Sequence, residues 1–228
     1  MLRRAFVLGA ALLALTSAPF MAAGETMSET PLHATPLHTA AKRNDVARIE
    51  ALLADGADIE ARDDSGATAL LVATHENNVA AARLLIAAGA DVNAKDKISD
   101  SPYLYAGARG HLDILKLTLT HGADLKSTNR FGGTALIPAS ERGHVETVRT
   151  LIAAGVDVDH VNNLGWTALL EAVILGNGGE RHRQIVDVLI KAGADINLAD
   201  REGVSPLQHA RGHGYDEIEQ LLVAAGAR

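Results

Sequence analysis

The sequence predicts an all-α solenoid of about six helix-turn-helix units joined by short turn or hairpin tips. Two independent markers carry that expectation. A hydroxyl residue followed by Pro or Ala and then an apolar or aromatic residue occurs at Thr35, Thr68, Ser101, Thr134, Thr167 and Ser205, with spacings of 33, 33, 33, 33 and 38. A glycine suited to ending a second helix falls at Gly56, Gly89, Gly122, Gly155, Gly193 and Gly226, with spacings of 33, 33, 33, 38 and 33. Both report one period and one five-residue insertion, inside the fifth unit, and a fixed period of this size is the mark of a repeat array.

Ahead of the array, residues 1–23 read as a secretory signal. Arg3 and Arg4 give the positive start, Phe6 to Leu15 is an apolar run of ten, and the small residues Ala22, Ala23 and Gly24 follow. Ten apolar residues are too few for a membrane-spanning helix. Residues 24–34 are expected to form a short mobile arm, in which Thr30-Pro31-Leu32-His33-Ala34 duplicates the start of the first unit; the 33-residue spacing selects Thr35 as the true start. Without Arg3 and Arg4, 19 basic residues face 28 acidic ones, a charge of about −9. That excludes nucleic acid as the expected partner, since phosphates require a basic face. No segment after the signal approaches 18 apolar residues, so no membrane insertion is expected once the signal is removed. With no cysteine, disulfides and lipidated cysteines are excluded.

Within each unit, the residue types follow from helix physics. The Thr or Ser hydroxyl accepts from a free N–H of the first helix, and Pro36, Pro102 and Pro206 occupy the first helical position, where no N–H is needed. Five residues after each cap lies Ala40, Ala73, Ala106, Ala139, Ala172 or Ala210, small enough for neighbouring helices to approach closely. The second helices supply the apolar face through pairs such as Leu84 and Leu85 or Leu189 and Ile190, which no single unit buries alone. Asp216, Glu217, Glu219 and Gln220 turn the last unit's outer face polar. Thr35-Pro36-Leu37-His38-Thr39-Ala40-Ala41 with Gly56-Ala57-Asp58 resembles the ankyrin repeat, over residues 35–228.

The resemblance implies structural hydrogen-bonding roles for His38, His111, His121 and His144. His111 and His144 are one unit apart, and helices packed ~8–10 Å apart cannot bring two rings within ~2 Å of a shared zinc. His209 and His213 have helical four-residue spacing, but Ala210 stands where a metalloprotease motif requires Glu. There is no nucleophile elbow, and Gly176-Asn177-Gly178-Gly179 is read as linker rather than phosphate loop. No catalytic residue, metal or cofactor is therefore expected.

The resemblance also implies a protein partner held on the concave side, by the tips and the exposed faces of the first helices. Carried over position by position, this selects Tyr105, Arg109, Arg130, Phe131, Arg142, Trp166 and Glu171. Aromatic residues beside arginines are the usual components of binding hot spots. For Trp166 the alternative is packing on the next tip. Pro138 falls in the first turn of its helix and is expected to tighten or tilt it. The insertion, within 176–183, is read as a lengthened inter-helix loop carrying Arg181, His182 and Arg183 toward a partner. The stretch from Trp166 to Asp200 resembles a group of exported proteobacterial ankyrin proteins, which implies a specific role for that loop. The expectation is a monomeric, non-enzymatic protein-binding scaffold in the periplasm or secreted. Its sharper form is an inhibitor or immunity protein for a toxin or hydrolase; the rival class is a metal-dependent enzyme using His209 and His213.

Overall fold

The structure, a computed structural model, describes residues 33–228; the signal expected at 1–23 and the expected arm up to residue 32 lie outside the described residues. Among the described residues, twelve helices pair into six units: α1 (Pro36–Lys42) with α2 (Val46–Ala54), α3 (Ala69–His75) with α4 (Val79–Ala87), and α5 (Pro102–Arg109) with α6 (Leu112–Thr120). They continue as α7 (Leu136–Glu141) with α8 (Val145–Ala154), α9 (Ala168–Ile174) with α10 (Glu180–Lys191), and α11 (Pro206–His213) with α12 (Asp216–Ala224). Among the described residues there is no strand.

The predicted alanine column is buried throughout, from Ala40 to Ala210. Each first helix thereby lies flat against its neighbours. At Gly107 the approach leaves no room for a side chain, because a Cβ built there would lie 2.7 Å from that of Ala135. Behind the first helices, Ile49, Leu85, Ile114, Leu115, Val148, Leu151, Ile185, Leu189, Ile218 and Leu222 form one continuous core. Each such side chain, once fully buried, contributes roughly 1.5–3 kcal/mol. The six predicted glycines all have left-handed backbone, φ +84° to +97°, as a helix-ending turn requires.

The caps follow the expectation with two exceptions. Thr68, Ser101, Thr167 and Ser205 accept from the N–H three residues on. At Thr35 the ring of His38 takes part: its Nδ1 lies 3.2 Å from the Thr35 N, and its Nε2 donates to the Ala67 carbonyl at 2.9 Å, tying the first unit to the next tip. Thr134 is a correction, because α7 starts one residue later, with Ala135 at its cap. The cause is Pro138. In the other units the residue four after the cap donates its N–H to the cap carbonyl, as Tyr105 does to Ser101 at 2.8 Å. Pro138 has no N–H to give, so Ile137 turns its own N–H to the Thr134 carbonyl at 3.3 Å, and the Thr134 hydroxyl is left buried without a partner. Pro138 therefore shortens α7 to six residues.

The tips share one further device. Asp63, Asp96, Asn129, Asn162 and Asp200 each accept from the backbone N–H groups two and four residues on, at 2.8–3.1 Å. One side-chain oxygen thus folds each tip into a fixed turn.

The two caps predict opposite responses to one substitution. Thr68→Val should cost about 1 kcal/mol, because the Leu71 N–H loses its acceptor, whereas Thr134→Val removes an unsatisfied hydroxyl and should be neutral or stabilising by up to about 1 kcal/mol. Urea denaturation of the two variants checks this, and equal losses would disprove the account of Pro138.

Candidate functional site

The first helices of units three to five and the two tips between them enclose a cleft of about 340 Å³. Its floor is one position of the repeat, nine residues after each tip-bracing Asp or Asn: Tyr105 on α5, Pro138 on α7 and Glu171 on α9. The next turn adds Arg109, Glu141, Arg142 and Leu175, and the tips add Asp100, Arg130, Phe131 and Leu164. Because α7 is short and Pro138 is compact, the wall between Tyr105 and Glu171 recedes there.

Several side chains are held in place. Tyr105 lies 4.3 Å from the ring of His75 and 6.0 Å from that of His111, with the Arg109 guanidinium 5.8 Å from its centroid. Arg130 lies over Phe131 at 4.8 Å and reaches Asp100 at 4.0 Å. Arg142 donates to the Ala108 carbonyl at 2.9 Å, which links unit four to unit three. Arg109 makes no hydrogen bond or ion pair among the described residues. Phe131 is 53% exposed; Ile98 one tip earlier and Leu164 one tip later are 52% and 50% exposed. These three occupy one register at 33-residue spacing, an apolar ridge beside the cleft.

Glu171 is only 5% exposed, and Asn162 donates to its Oε1 at 2.9 Å. Burial pushes its carboxyl up to about 7; nearby Glu141 pushes the same way, while the Asn162 amide and Arg142 oppose them. Asp100 is likewise raised by burial and by Asp96, against Arg130, His75 and Arg142.

Of the ten residues singled out from the sequence, the cleft brings six together: Tyr105, Arg109, Arg130, Phe131, Arg142 and Glu171. Trp166 is half-buried at the base of its tip, outside the cleft lining, with its backbone paired to Asn162. The insertion residues require a correction. Arg181, His182 and Arg183 lie in the first turn of α10, not in a loop, because the insertion lengthens that helix to 12 residues and leaves only a short connection at 175–179. His182 is 8% exposed and bridges Asn177 at 2.9 Å and the Glu141 carbonyl at 2.8 Å. Arg183 pairs with Glu180 and with Glu217 of the last unit, and Arg181 is exposed. Tyr215 donates to the Gly176 carbonyl at 2.9 Å, and its ring fills the space a side chain at Gly178 would need. The insertion thus braces unit five against units four and six.

Other histidines have structural partners. His111 lies 2.9 Å from the Thr74 carbonyl, and His160 2.7 Å from that of Gly132. His209 pairs with Asp200 at 2.7 Å while His213 stacks on Tyr215 at 5.1 Å, so the two rings of the i, i+4 pair are engaged separately. Among the described residues no group of three His, Asp or Glu could hold a metal.

Asn129 and Asn162, which reach the cleft from its tips, were missed in the sequence. Their signal was the period itself, since positions 63, 96, 129, 162 and 200 repeat at 33, 33, 33 and 38.

Stacked helix pairs with rigid tips, presenting exposed aromatic and arginine side chains along one face, define a repeat array built for contact. The sequence profile described as ankyrin repeats (3 copies) matches residues 13–96 and 103–200, and the chain belongs to the ankyrin-repeat family. Among solved structures, an ankyrin repeat domain from Acinetobacter baumannii AYE is 68% identical, with a TM-score of 0.83 over 85% of this chain and 98% of that one. The ankyrin repeat protein EF0377 is 41% identical, with a TM-score of 0.80 over 84% and 98%. The ankyrin repeat domain of Bcl-3 is 28% identical, with a TM-score of 0.76 over 85% and 87%. The ankyrin repeat protein YahD of Escherichia coli K12 is 47% identical over 57 residues, which span 25% of this chain and 28% of that protein. Ankyrin repeats are protein–protein interaction scaffolds, typically without enzymatic activity.

The buried carboxyl gives a pH test. Glu171 titrates near 4.5 when unfolded and about 7 when folded, so the native state holds the proton longer. The sign follows: stability is full below pH 4.5 and is lost as pH rises through 7. Glu171→Gln should raise unfolding free energy by on the order of 2–3 kcal/mol at pH 8 and by almost nothing at pH 4. Denaturation curves that differ by the same amount at both pH values would refute it.

Proposed function

We propose that the protein is exported to the periplasm and holds a protein partner, without catalysing a reaction, on the cleft and apolar ridge of units three to five. The observation that carries this reading is the ridge of Ile98, Phe131 and Leu164, each half-exposed in one register beside a cleft lined with arginines. Large apolar side chains repeated at the same exposed position do nothing for the array's own core, and burying them against a partner supplies the driving force. The rigid tips support the reading further, since side chains on a fixed backbone lose little entropy when a partner arrives. Export rests on Arg3, Arg4 and the apolar run to Leu15.

Two measurements test the proposal. Osmotic-shock fractionation of a C-terminally tagged chain should release it shortened by about 23 residues, and full-length protein retained in the cytoplasm would reject export. Affinity capture from the envelope fraction should recover a partner on the wild type and lose it, by tenfold or more, on a Phe131→Ala, Leu164→Ala double variant that keeps its helical circular dichroism. Equal recovery on both would move the contact away from this face.

A further inference from the structure

We infer that the cleft between units three and five receives an acidic side chain of the partner, one that stands next to a large apolar residue, the apolar neighbour lying on the ridge of Phe131 and Leu164. This deepens the partner-binding reading above and rests on it.

Charge distribution is the first argument. The cleft is lined by three arginines, Arg109, Arg130 and Arg142, and three acidic residues, Asp100, Glu141 and Glu171. All three arginines are exposed, whereas Asp100 and Glu141 are half-buried and Glu171 is buried. The mouth is therefore cationic and the acids lie beneath it. Glu171 is moreover bonded to Asn162, and burial raises its carboxyl to about 7, so it carries only part of its charge at pH 7. In a chain with a net charge of −7, three exposed guanidinium groups around one opening run against the general trend.

The tips supply a second, independent argument. The bracing position is a carboxylate at Asp63, Asp96 and Asp200 but an amide at Asn129 and Asn162, and these two are the bracing residues that line the cleft. The brace needs only a side-chain oxygen, which Asn provides as well as Asp. At Asn129 folding does not require the amide, whereas at Asn162 the amide also donates to Glu171; at both tips its effect is to leave out a negative charge where an acidic ligand would enter.

The same geometry separates a side chain from a chain end. Capture of a C-terminal carboxylate commonly uses converging backbone N–H groups. In the tips lining the cleft, the N–H groups of Phe131, Gly133, Leu164 and Trp166 are already taken by Asn129 and Asn162. Guanidinium donors are what remains. Arg109 is unpaired among the described residues, while Arg142 uses one donor on Ala108 and lies 3.9 Å from Glu141, and Arg130 lies 4.0 Å from Asp100, loose contacts that leave donors of both free. A planar guanidinium matches a carboxylate in bidentate fashion.

Two phage-displayed random dodecapeptide libraries, one with blocked C-termini and one with free C-termini, selected on the immobilised mature protein, provide the test. Internal Asp or Glu beside Leu, Ile, Met or Phe should be enriched in both, and a selected peptide should bind Arg109→Gln about tenfold more weakly, as the loss of one charge-assisted pair predicts. Arg130→Gln guards against a misfolded variant and should act alike. Enrichment confined to free C-termini, sequences without acidic residues, no enrichment at all, or unchanged binding to both arginine variants would each overturn the inference. If capture of the natural partner falls with the Phe131→Ala, Leu164→Ala variant while acidic peptides are not selected, the inference fails and the partner-binding reading stands. If peptides bind that ridge variant and both arginine variants as they bind wild type, both fail.

Discussion

The close approach of the first helices, permitted by the alanine column from Ala40 to Ala210, is the constraint on which everything else depends. A larger side chain at any of these positions would push two units apart, and that displacement would carry through the second helices, whose core residues are shared between neighbours. Packing at this distance also fixes where residues nine positions past each brace must lie. Tyr105, Pro138 and Glu171 become adjacent side chains on one face, although 33 residues separate each from the next. The cleft is therefore a product of translation: the same backbone position, repeated, with its side chain varied.

Variation at that position is physically permissive because it faces outward from the alanine contact. Val72 and His209 occupy it in units two and six. His209 turns to the brace beside it and pairs with Asp200, and Glu171 does the equivalent with Asn162. A carboxylate brace accepts from a histidine, and an amide brace donates to a carboxyl, so the brace and the floor residue complement each other within a unit. In unit four Pro138 has nothing to offer Asn129, and its missing N–H instead shortens α7 and opens the wall of the cleft.

Most of the fold was legible in the sequence because it is written six times. Two unrelated markers with one period define the units, and the glycines and most hydroxyl caps adopt the geometry their chemistry requires. The misreadings occur where a unit departs from the others. Thr134 carries the cap residue but loses the cap to a proline four positions on, an interaction visible only when the helix's first hydrogen bonds are counted individually. Gly176 to Arg183 is glycine-rich and charged, which suggests an exposed loop, yet half of it winds into α10 and buries His182. The candidate site was readable in part, since Tyr105, Arg109, Arg130, Phe131, Arg142 and Glu171 are the positions that the ankyrin resemblance, carried over by register, selects. Trp166 shares a tip with Leu164, but the turn directs the leucine to the cleft and keeps the indole at the base.

A linear array of like units ordinarily distributes its cooperativity evenly, each joint as strong as the next. The braced connection in unit five breaks that evenness. His182 fastens it to the Glu141 carbonyl on one side, and Tyr215 and Glu217 fasten it on the other, so one short connection ties three units together, whereas Asn78 and His111 each tie only one unit to the one before it. The array thus has a grain. The cleft lies at the edge of this tied region, spanning the joint that Arg142 closes on Ala108 and the joint that His182 closes on Glu141. A ligand seated there would touch three units at once, so recognition would also add to the mechanical continuity of the array.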